Sequence, residues 1–207
     1  MEITWFGHSC FRLKGRVTTV LADPCPPNAG CMPRGLEASV VTVSHQHEGH
    51  CYTQGVSGAR LLSGPGEYEI GDSFITGFGS YHDAEKGATR GKNTIYVIEM
   101  DSLSLCHLGD LGHLPASDLL ADLAGIDVLF LPIAGVGLAG SMVSDLVARM
   151  SPRVILPMHY DADKDSSPLD LLLKTLGGKE ATQQARLSLT RSTLPPNTQV
   201  IVLARAQ

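Results

Sequence analysis

The chain has 207 residues, of which 43% are hydrophobic and 18% are charged, and its formal net charge is -5. This length and composition predict one globular domain over residues 1–207 with a large apolar core. The negative charge argues against a general nucleic-acid binder, which needs a basic face, and no apolar run approaches the ~20 residues of a membrane-spanning helix. We therefore expect a small-molecule partner, with no nucleic acid and no membrane, and leave homo-oligomerisation open.

The five cysteines do not form the pattern of a disulfide scaffold. Their number is odd, the chain is long for such a scaffold, and no signal peptide precedes the first predicted strand. Five residues separate Cys25 from Cys31, which is wider than the usual zinc-knuckle spacing, so both are predicted to be loop cysteines. We expect a cytoplasmic protein with reduced thiols.

The predicted elements mix strands and helices and indicate an α/β (α+β) fold. Short apolar and alternating runs predict strands at residues 2–6, 10–14, 17–22, 40–43, 59–63, 67–70, 73–77, 93–99, 103–107, 127–131, 154–157, 186–190 and 199–203. Helical spacing predicts helices at residues 115–123, 141–150 and 168–176. The run at 40–43 is β-branched and apolar throughout, which is typical of a strand buried on both faces.

Three histidines follow this buried strand within six residues: His45, His47 and His50. Imidazoles at the end of a buried strand make a poor core but a good metal site, because neutral imidazole is a preferred ligand of zinc and its neighbours. His45 and His47 can converge from one side of an extended loop, and we expect His50 to come from the first turn of a following helix. The alternative is three solvated loop histidines.

Three further polar residues occupy the same position relative to a strand. His82, Asp110 and His159 each come just after a predicted strand. Functional groups in α/β proteins gather beyond the carboxyl ends of strands. Each residue alone is compatible with an ordinary loop start, but together with His45 they predict one convergent site.

In these residues the chain resembles the metallo-β-lactamase superfamily, and most of all the small hydrolases akin to ascorbate-6-phosphate lactonase. The ordered histidines and Asp110 carry the resemblance, which covers about residues 2–160. Supporting stretches lie at residues 5–9, 22–24, 64–69, 93–96, 107–110 and 157–160. The resemblance implies a four-layer αβ/βα sandwich with metals at one edge between two sheets.

The resemblance also implies the roles of these residues. His45, His47 and His82 match ligands of a first metal, His50 and His159 match ligands of a second, and Asp110 matches the carboxylate that bridges both. The implied activity is hydrolysis of a lactone, another ester or a phosphodiester of a small, anionic metabolite by metal-bound hydroxide, with Asp110 as the catalytic carboxylate. Zinc is the expected metal, with manganese and iron as alternatives.

One position departs from the pattern of the family. The aspartate that normally precedes the third histidine, and usually ligates the second metal, is Gly49 here. We therefore expect one tightly bound metal and a second that is weak or absent. Glu48 is a candidate replacement ligand, although its side chain leaves from a different backbone position, and His8 is another candidate helper near the site.

Several residues around the ligands have weaker signals. His8, Arg90 and Asn93 are predicted to bind substrate, and the resemblance places the His8 turn at the edge of the site; a solvated basic turn remains the alternative for Arg90. Asp23 and His113 are candidates for orienting ligands. His107 is predicted to be buried structure.

The sequence is compatible with two other functions. A nuclease or phosphodiesterase is the other enzyme class, although the net charge and the short chain count against it. The second is a non-catalytic or sensory metal-binding protein, in which glycine instead of aspartate at position 49 has abolished hydrolysis.

Overall fold

Two β-sheets face each other in the computed structural model, which describes residues 1–26, 35–135, 137–138, 140–161, 165–178 and 181–206. The first strands along the chain are β1 (Glu2–Gly7), β2 (Cys10–Lys14), β3 (Thr19–Ala22), β4 (Leu36–Glu37), β5 (Val40–Val43), β6 (Val56–Ser57), β7 (Arg60–Ser63), β8 (Gly66–Ile70), β9 (Ser73–Tyr81), β10 (Lys92–Met100) and β11 (Leu103–His107). After them come α1 (Ser117–Asp122), β12 (Val128–Pro132), α2 (Gly140–Met150), β13 (Val154–Met158), α3 (Ser167–Thr175), β14 (Ala181–Gln184), β15 (Leu187–Ser188) and β16 (Gln199–Leu203).

The strands form a six-stranded sheet, an eight-stranded sheet and a small pair. The six-stranded sheet has the order β15-β1-β2-β3-β5-β7, and the eight-stranded sheet has the order β14-β16-β13-β12-β11-β10-β9-β8. Strands β4 and β6 pair with each other. Because β11, β12 and β13 run parallel, their carboxyl ends meet at one edge of the larger sheet.

Three apolar clusters separate the layers. One lies between the two sheets and contains Phe11 from β2 and Phe130 from β12. A second lies between the larger sheet and the helices, with Leu146 of α2 completely buried. The third covers the outer face of the smaller sheet, where loops and the β4–β6 pair supply the covering residues in the described ranges. The predicted α/β fold class is confirmed.

Most predicted elements agree with the structure, and one does not. No helix follows His50: residues 48–50 form a turn, which the N–H of His50 closes on the carbonyl of His47 at 2.9 Å. The next segment is held elsewhere, because the N–H of Tyr52 donates to the carbonyl of Pro24. None of the helices in the described ranges combines the length and the apolarity that a bilayer span requires.

The cysteines differ in part from the expectation of reduced thiols. Cys10, Cys51 and Cys106 are free. Cys25 is disulfide-bonded, so the expectation is wrong at that position. Cys31 lies outside the described residues.

Candidate metal centre

The predicted ligands come from four strand ends that meet between the sheets. His45, His47 and His50 follow β5 of the smaller sheet. Asp110 follows β11 and His82 follows β9. His159 follows β13 directly. The two sheets therefore each contribute histidines to one edge.

Asp110 lies at the middle of this cluster and is 2% exposed. Its Oδ2 atom lies 3.1 Å from Nε2 of His159 and 3.2 Å from Nε2 of His50. The same oxygen lies 3.4 Å from Nε2 of His82 and 3.6 Å from Nε2 of His45. Four imidazoles thus converge on one carboxylate oxygen.

The local backbone and Asn93 together hold Asp110 in place. The side-chain oxygen of Asn93 accepts from the N–H of Asp110 at 3.0 Å, and its amide donates to Ser80 Oγ at 2.8 Å and to the carbonyl of Leu108 at 2.9 Å. The preceding Gly109 has φ +58° and approaches Asn93 so closely that a Cβ would collide with it, so only glycine fits. All hydrogen-bonding groups of the Asn93 side chain are thereby used inside the protein.

Asp23 orients two of the histidines from behind. Its Oδ2 lies 2.8 Å from Nδ1 of His50 and accepts from the hydroxyl of Ser44 at 2.5 Å, while Oδ1 accepts from the N–H of Ser44 at 2.7 Å. Ser44 Oγ in turn lies 2.9 Å from Nδ1 of His45. This network assigns the protons to the Nδ1 atoms and leaves the Nε2 atoms free as ligands. Asp23 therefore contacts His50, and its role in orienting a metal ligand stays a prediction.

Electrostatics keep the central carboxylate ionised. Burial alone would raise the pKa of Asp110, but hydrogen bonds from His159 and His50 outweigh burial and hold this pKa well below its usual range. Burial also opposes the charged form of His50, yet its contacts with Asp110 and Asp23 raise the pKa of His50 to about 9. A metal at this position would have to displace that proton, because a ligating imidazole is neutral.

The pKa of His45 moves the other way, to about 3, because burial and the neighbouring charge of His50 disfavour its protonated form. His8 behaves similarly: burial first, then the charges of His159 and His50, lower its pKa to about 4. Both imidazoles are therefore neutral at physiological pH, the form that binds metals.

The described residues contain three groups of potential ligands: two consist only of histidines, and the third combines Asp23 with His45 and His50. Within each group the ligand atoms all lie within 4.8 Å of one another. The cavity group consists of His45, His47 and His82, and the turn group consists of His8, His50 and His159.

Buried polar atoms without hydrogen-bond partners are independent evidence that this cluster of histidines and Asp110 could hold a metal. Nε2 of His45 and Oδ1 of Asp110 are buried and have no hydrogen-bond partner within the part of the chain that the structure describes. Unpartnered buried polar atoms are rare in proteins and costly. A divalent cation would satisfy the converging nitrogen and carboxylate donors, which are the ligand types that zinc takes.

A cavity of about 650 Å³ opens beside the cavity group, with His45 and His47 in its wall. Arg90 and Lys92 also line it, and none of the described lining residues is acidic. Asp83 shapes the loop that carries Arg90, because its carboxylate accepts the N–H groups of residues 85, 87, 89 and 90. The guanidinium of Arg90 donates to the carbonyl of Gly135.

The residues predicted to touch substrate have different surroundings. Arg90 is exposed at the cavity. His8 belongs to the turn group, with its ring centroid 4.1 Å from that of His159. Asn93 also lines the cavity, but its hydrogen bonds give it a positioning role for Asp110, and its contact with substrate stays a prediction.

The remaining candidates lie outside the ligand groups. Glu48 is exposed and belongs to none of the groups found among the described residues. His107 is buried and bonded to the carbonyl of Ser9 at 3.0 Å, which confirms its structural role. His113 accepts the N–H of Tyr81 at 3.2 Å, next to His82.

Two functional residues were missed by sequence reasoning. Ser44 links His45 to Asp23, and Ser80 holds the amide of Asn93. The only available signal was their position, because Ser44 directly precedes a predicted ligand and Ser80 lies two residues before another. Serines at loop starts are too common for that signal to be specific.

Comparison with known proteins identifies the family. The beta-lactamase superfamily domain matches residues 2–159, a range that contains every ligand candidate above. The chain belongs to this superfamily. The metallo-β-lactamase resemblance seen in the sequence is therefore confirmed.

Individual members of the superfamily match most of the chain. A UPF0173 metal-dependent hydrolase from Methanoculleus marisnigri is 30% identical over 187 residues, which cover 78% of this chain and 81% of the relative. Another, from Archaeoglobus fulgidus, is 27% identical and covers 86% of this chain and 92% of the relative. The crystal structure of a protein described as a Zn-dependent hydrolase of the metallo-β-lactamase superfamily, from Thermotoga maritima, is 30% identical with a TM-score of 0.78, covering 98% of this chain and 97% of that one.

Proposed function

We propose that this superfamily member is a metal-dependent hydrolase of a small, anionic metabolite. The observation that carries the proposal is the convergence of four imidazole nitrogens on one buried oxygen of Asp110, beside a cavity with a basic rim. The enzyme class agrees with the names of the relatives from Methanoculleus and Archaeoglobus.

Zinc is the metal we propose, with manganese and iron as alternatives that the same imidazole donors accept. Gly49 led us to expect one tight metal and a weak or absent second, but two histidine groups of the described residues could each hold an ion. Asp110 faces histidines of both groups. A cation held by these residues would supply Lewis-acid chemistry, polarising the bond to be cleaved and lowering the pKa of water toward neutrality.

Each residue of the chain then has a defined task. Asp110 Oδ1 has no hydrogen-bond partner among the described residues, so it is free to ligate a cation or to accept a hydrogen bond from the attacking water and orient it. Asp23 and Ser44 keep Nε2 of the histidines pointing inward. Asn93 keeps Asp110 at the centre.

The cavity supports the substrate class. Its volume of about 650 Å³ suits a small molecule, since ligand pockets commonly enclose about 300–1,000 Å³. Arg90 and Lys92 offer two positive charges without a competing carboxylate in the described lining, and an arginine fork pairs well with a phosphate or carboxylate group. The bond cleaved is the ester bond of a lactone, another ester bond or a phosphodiester bond.

Location and assembly are further proposals. We place the protein in the cytoplasm, and homo-oligomerisation stays open. The disulfide of Cys25 counts against a reducing compartment, so the redox state of this cysteine in cell extract is a direct check on location.

The test compares matched substrates on zinc-loaded protein. A phosphorylated lactone and its dephosphorylated counterpart differ only in the anionic group. We expect the phosphorylated compound to have the higher kcat/KM, and Arg90→Ala to remove most of that preference by raising its KM. Arg149→Ala is the matched control, because this exposed arginine pairs with Asp145 on α2 and is absent from the cavity lining.

Two results would count against the proposal. Equal turnover of both compounds would reject the anionic substrate class. Absence of turnover with lactones, p-nitrophenyl esters and bis(p-nitrophenyl) phosphate, in protein that holds metal, would leave a metal-binding protein without hydrolase activity.

A further inference from the structure

We propose that His8 takes the place of the carboxylate that is missing at Gly49 and serves as a protein ligand of the second metal. The second site would then consist of the turn group, His8, His50 and His159, together with Asp110. This inference rests on the proposed function, because it assigns a ligand within the same metal centre.

The first support is the position of the His8 ring. Its centroid lies 4.1 Å from that of His159 and 4.6 Å from that of His50. The ligand atoms of the three residues all lie within 4.8 Å of one another, so one ion can reach all of them. A histidine that served only as a solvated turn residue would have no reason to face two other imidazoles.

The second support is the backbone that presents this ring. His8 has φ +52°, a left-handed conformation that a non-glycine residue adopts only when its surroundings hold it. Its carbonyl accepts from Nε1 of Trp5 at 3.0 Å and from the N–H of His159 at 2.9 Å. The turn is thereby tied directly to another ligand of the turn group.

The third support is the space above Gly49. A Cβ atom at Gly49 would lie 2.8 Å from Nε2 of His8 and 3.0 Å from its Cδ2. Gly49 does not have positive φ, so its backbone does not require glycine. The residue is needed for space, and an aspartate at position 49 is incompatible with His8 in its present place.

These observations explain the departure at Gly49 as an exchange of one ligand for another. The imidazole of His8 occupies the volume next to Gly49 that an aspartate side chain would enter. Glu48, the other candidate to replace the missing aspartate ligand, is exposed and belongs to neither histidine group. The exchange replaces an anionic oxygen donor by a neutral nitrogen donor, and zinc accepts both.

The test measures bound metal rather than activity. Wild type, His8→Gly, Glu48→Gln and the double variant His8→Gly/Gly49→Asp are dialysed at the same free zinc concentration, and zinc per chain is determined by elemental analysis. Glycine suits the left-handed turn at position 8, so His8→Gly removes the ring without adding backbone strain. Circular dichroism and the melting temperature of each metal-free protein establish that it folds.

We expect two zinc ions in the wild type and in Glu48→Gln, one in His8→Gly, and two again in the double variant, where an aspartate can enter the vacated space. The affinity for the second ion should fall in His8→Gly by at least about 100-fold, more than loss of an outer-shell partner costs. Cobalt substitution provides a second readout, because the visible spectrum of the second site should change in His8→Gly while that of the cavity group stays.

Each other outcome has a defined meaning. Two ions held with unchanged affinity in His8→Gly would overturn the inference and leave the proposed function intact. One ion in the wild type that His8→Gly also retains would overturn it as well, because the bound ion would then not depend on His8. No ion in the wild type would overturn the metal-dependent function itself.

Discussion

The cavity group and the turn group contain the same kind of donor but are supported differently. In the cavity group, His47 is exposed, and His45 and His47 line the cavity. In the turn group, His50 is 2% exposed and is bonded to the buried carboxylate of Asp23. The cavity group therefore opens onto the cavity through the exposed His47, while in the turn group only His50 is buried and both His8 and His159 are partly exposed. Two sets of histidines around one carboxylate therefore need not have the same affinity for metal or exchange bound metal at the same rate.

Asp110→Asn should have the largest effect, because Asp110 is shared by both groups. The substitution keeps the size of the side chain but removes the charge that the imidazoles face. We expect both metals to bind more weakly by more than the about 10–100-fold that an outer-shell change costs, and hydrolysis to be lost. Zinc titration of the metal-free protein measures both sites.

Asp127→Asn is the matched control for this variant. Asp127 is also a buried carboxylate, but it pairs with Arg191 and accepts the N–H of Ser104. The control should lower stability and leave metal content unchanged. Full metal binding at one group in Asp110→Asn would show that the carboxylate serves only the other group.

Asp23→Asn should come next, with a loss of about 10–100-fold in metal affinity at both groups. The reason is that Asp23 orients His50 directly and His45 through Ser44. Isothermal titration with zinc measures the two affinities separately.

Ser44→Ala separates the two branches of this network. It removes the link to His45 and keeps the bond between Asp23 and His50, so only the cavity group should weaken. Equal weakening of both groups by Ser44→Ala would contradict the branched arrangement.

The hydrogen bonds that Ser44 and Asn93 make to the candidate ligands could not be predicted from the sequence. His45 and Asp110 were predictable as candidate ligands because each comes within three residues of the end of an apolar strand, and strand ends meet at one edge of a sheet. The role of His8 was not, because it depends on contact between a turn and Gly49, which are distant in the chain. The hydrogen bonds of Asn93 to Asp110 and Leu108 likewise join residues that are distant in the sequence, so no local pattern indicates them.

The same distinction explains the errors in the fold. Strand β14 was missed because Ala181–Gln184 is polar and largely exposed at the edge of its sheet, without the alternation that marks a half-buried strand. The short strands β4 and β6 have two residues each, too few for any periodicity. The helix expected after His50 is replaced by a segment that bonds to Pro24, a tertiary contact with no local signal.

Asn93→Ala should destabilise the fold and weaken both groups to a similar extent. It leaves the N–H of Asp110 and the carbonyl of Leu108 without partners, which we expect to cost about 2–4 kcal/mol in the free energy of unfolding. Urea unfolding of the metal-free protein measures this loss. Ser80→Ala, which removes one partner of the same amide, should cost only about 1 kcal/mol. A loss of metal at the cavity group alone would argue against Asn93 acting through the shared carboxylate.

Asp83→Asn should have the smallest effect and should act on the cavity alone. Asp83 Oδ2 accepts the N–H groups of Thr89 and Arg90, and an amide nitrogen in its place cannot. The end of the loop that presents Arg90 should loosen, and the KM for the anionic substrate should rise about fivefold. Metal content should not change, because no group at the centre bonds to this carboxylate among the described residues.

Glu85→Gln removes the same charge from the same loop and therefore isolates the contribution of the hydrogen bonds. The side chain of Glu85 is exposed and makes no hydrogen bond within the described part of the chain, so this variant should retain the KM of the wild type. If both variants raise KM equally, loop charge and not loop geometry controls binding. If Asp83→Asn instead lowers zinc content, Asp83 supports the adjacent His82 as well as the loop that carries Arg90.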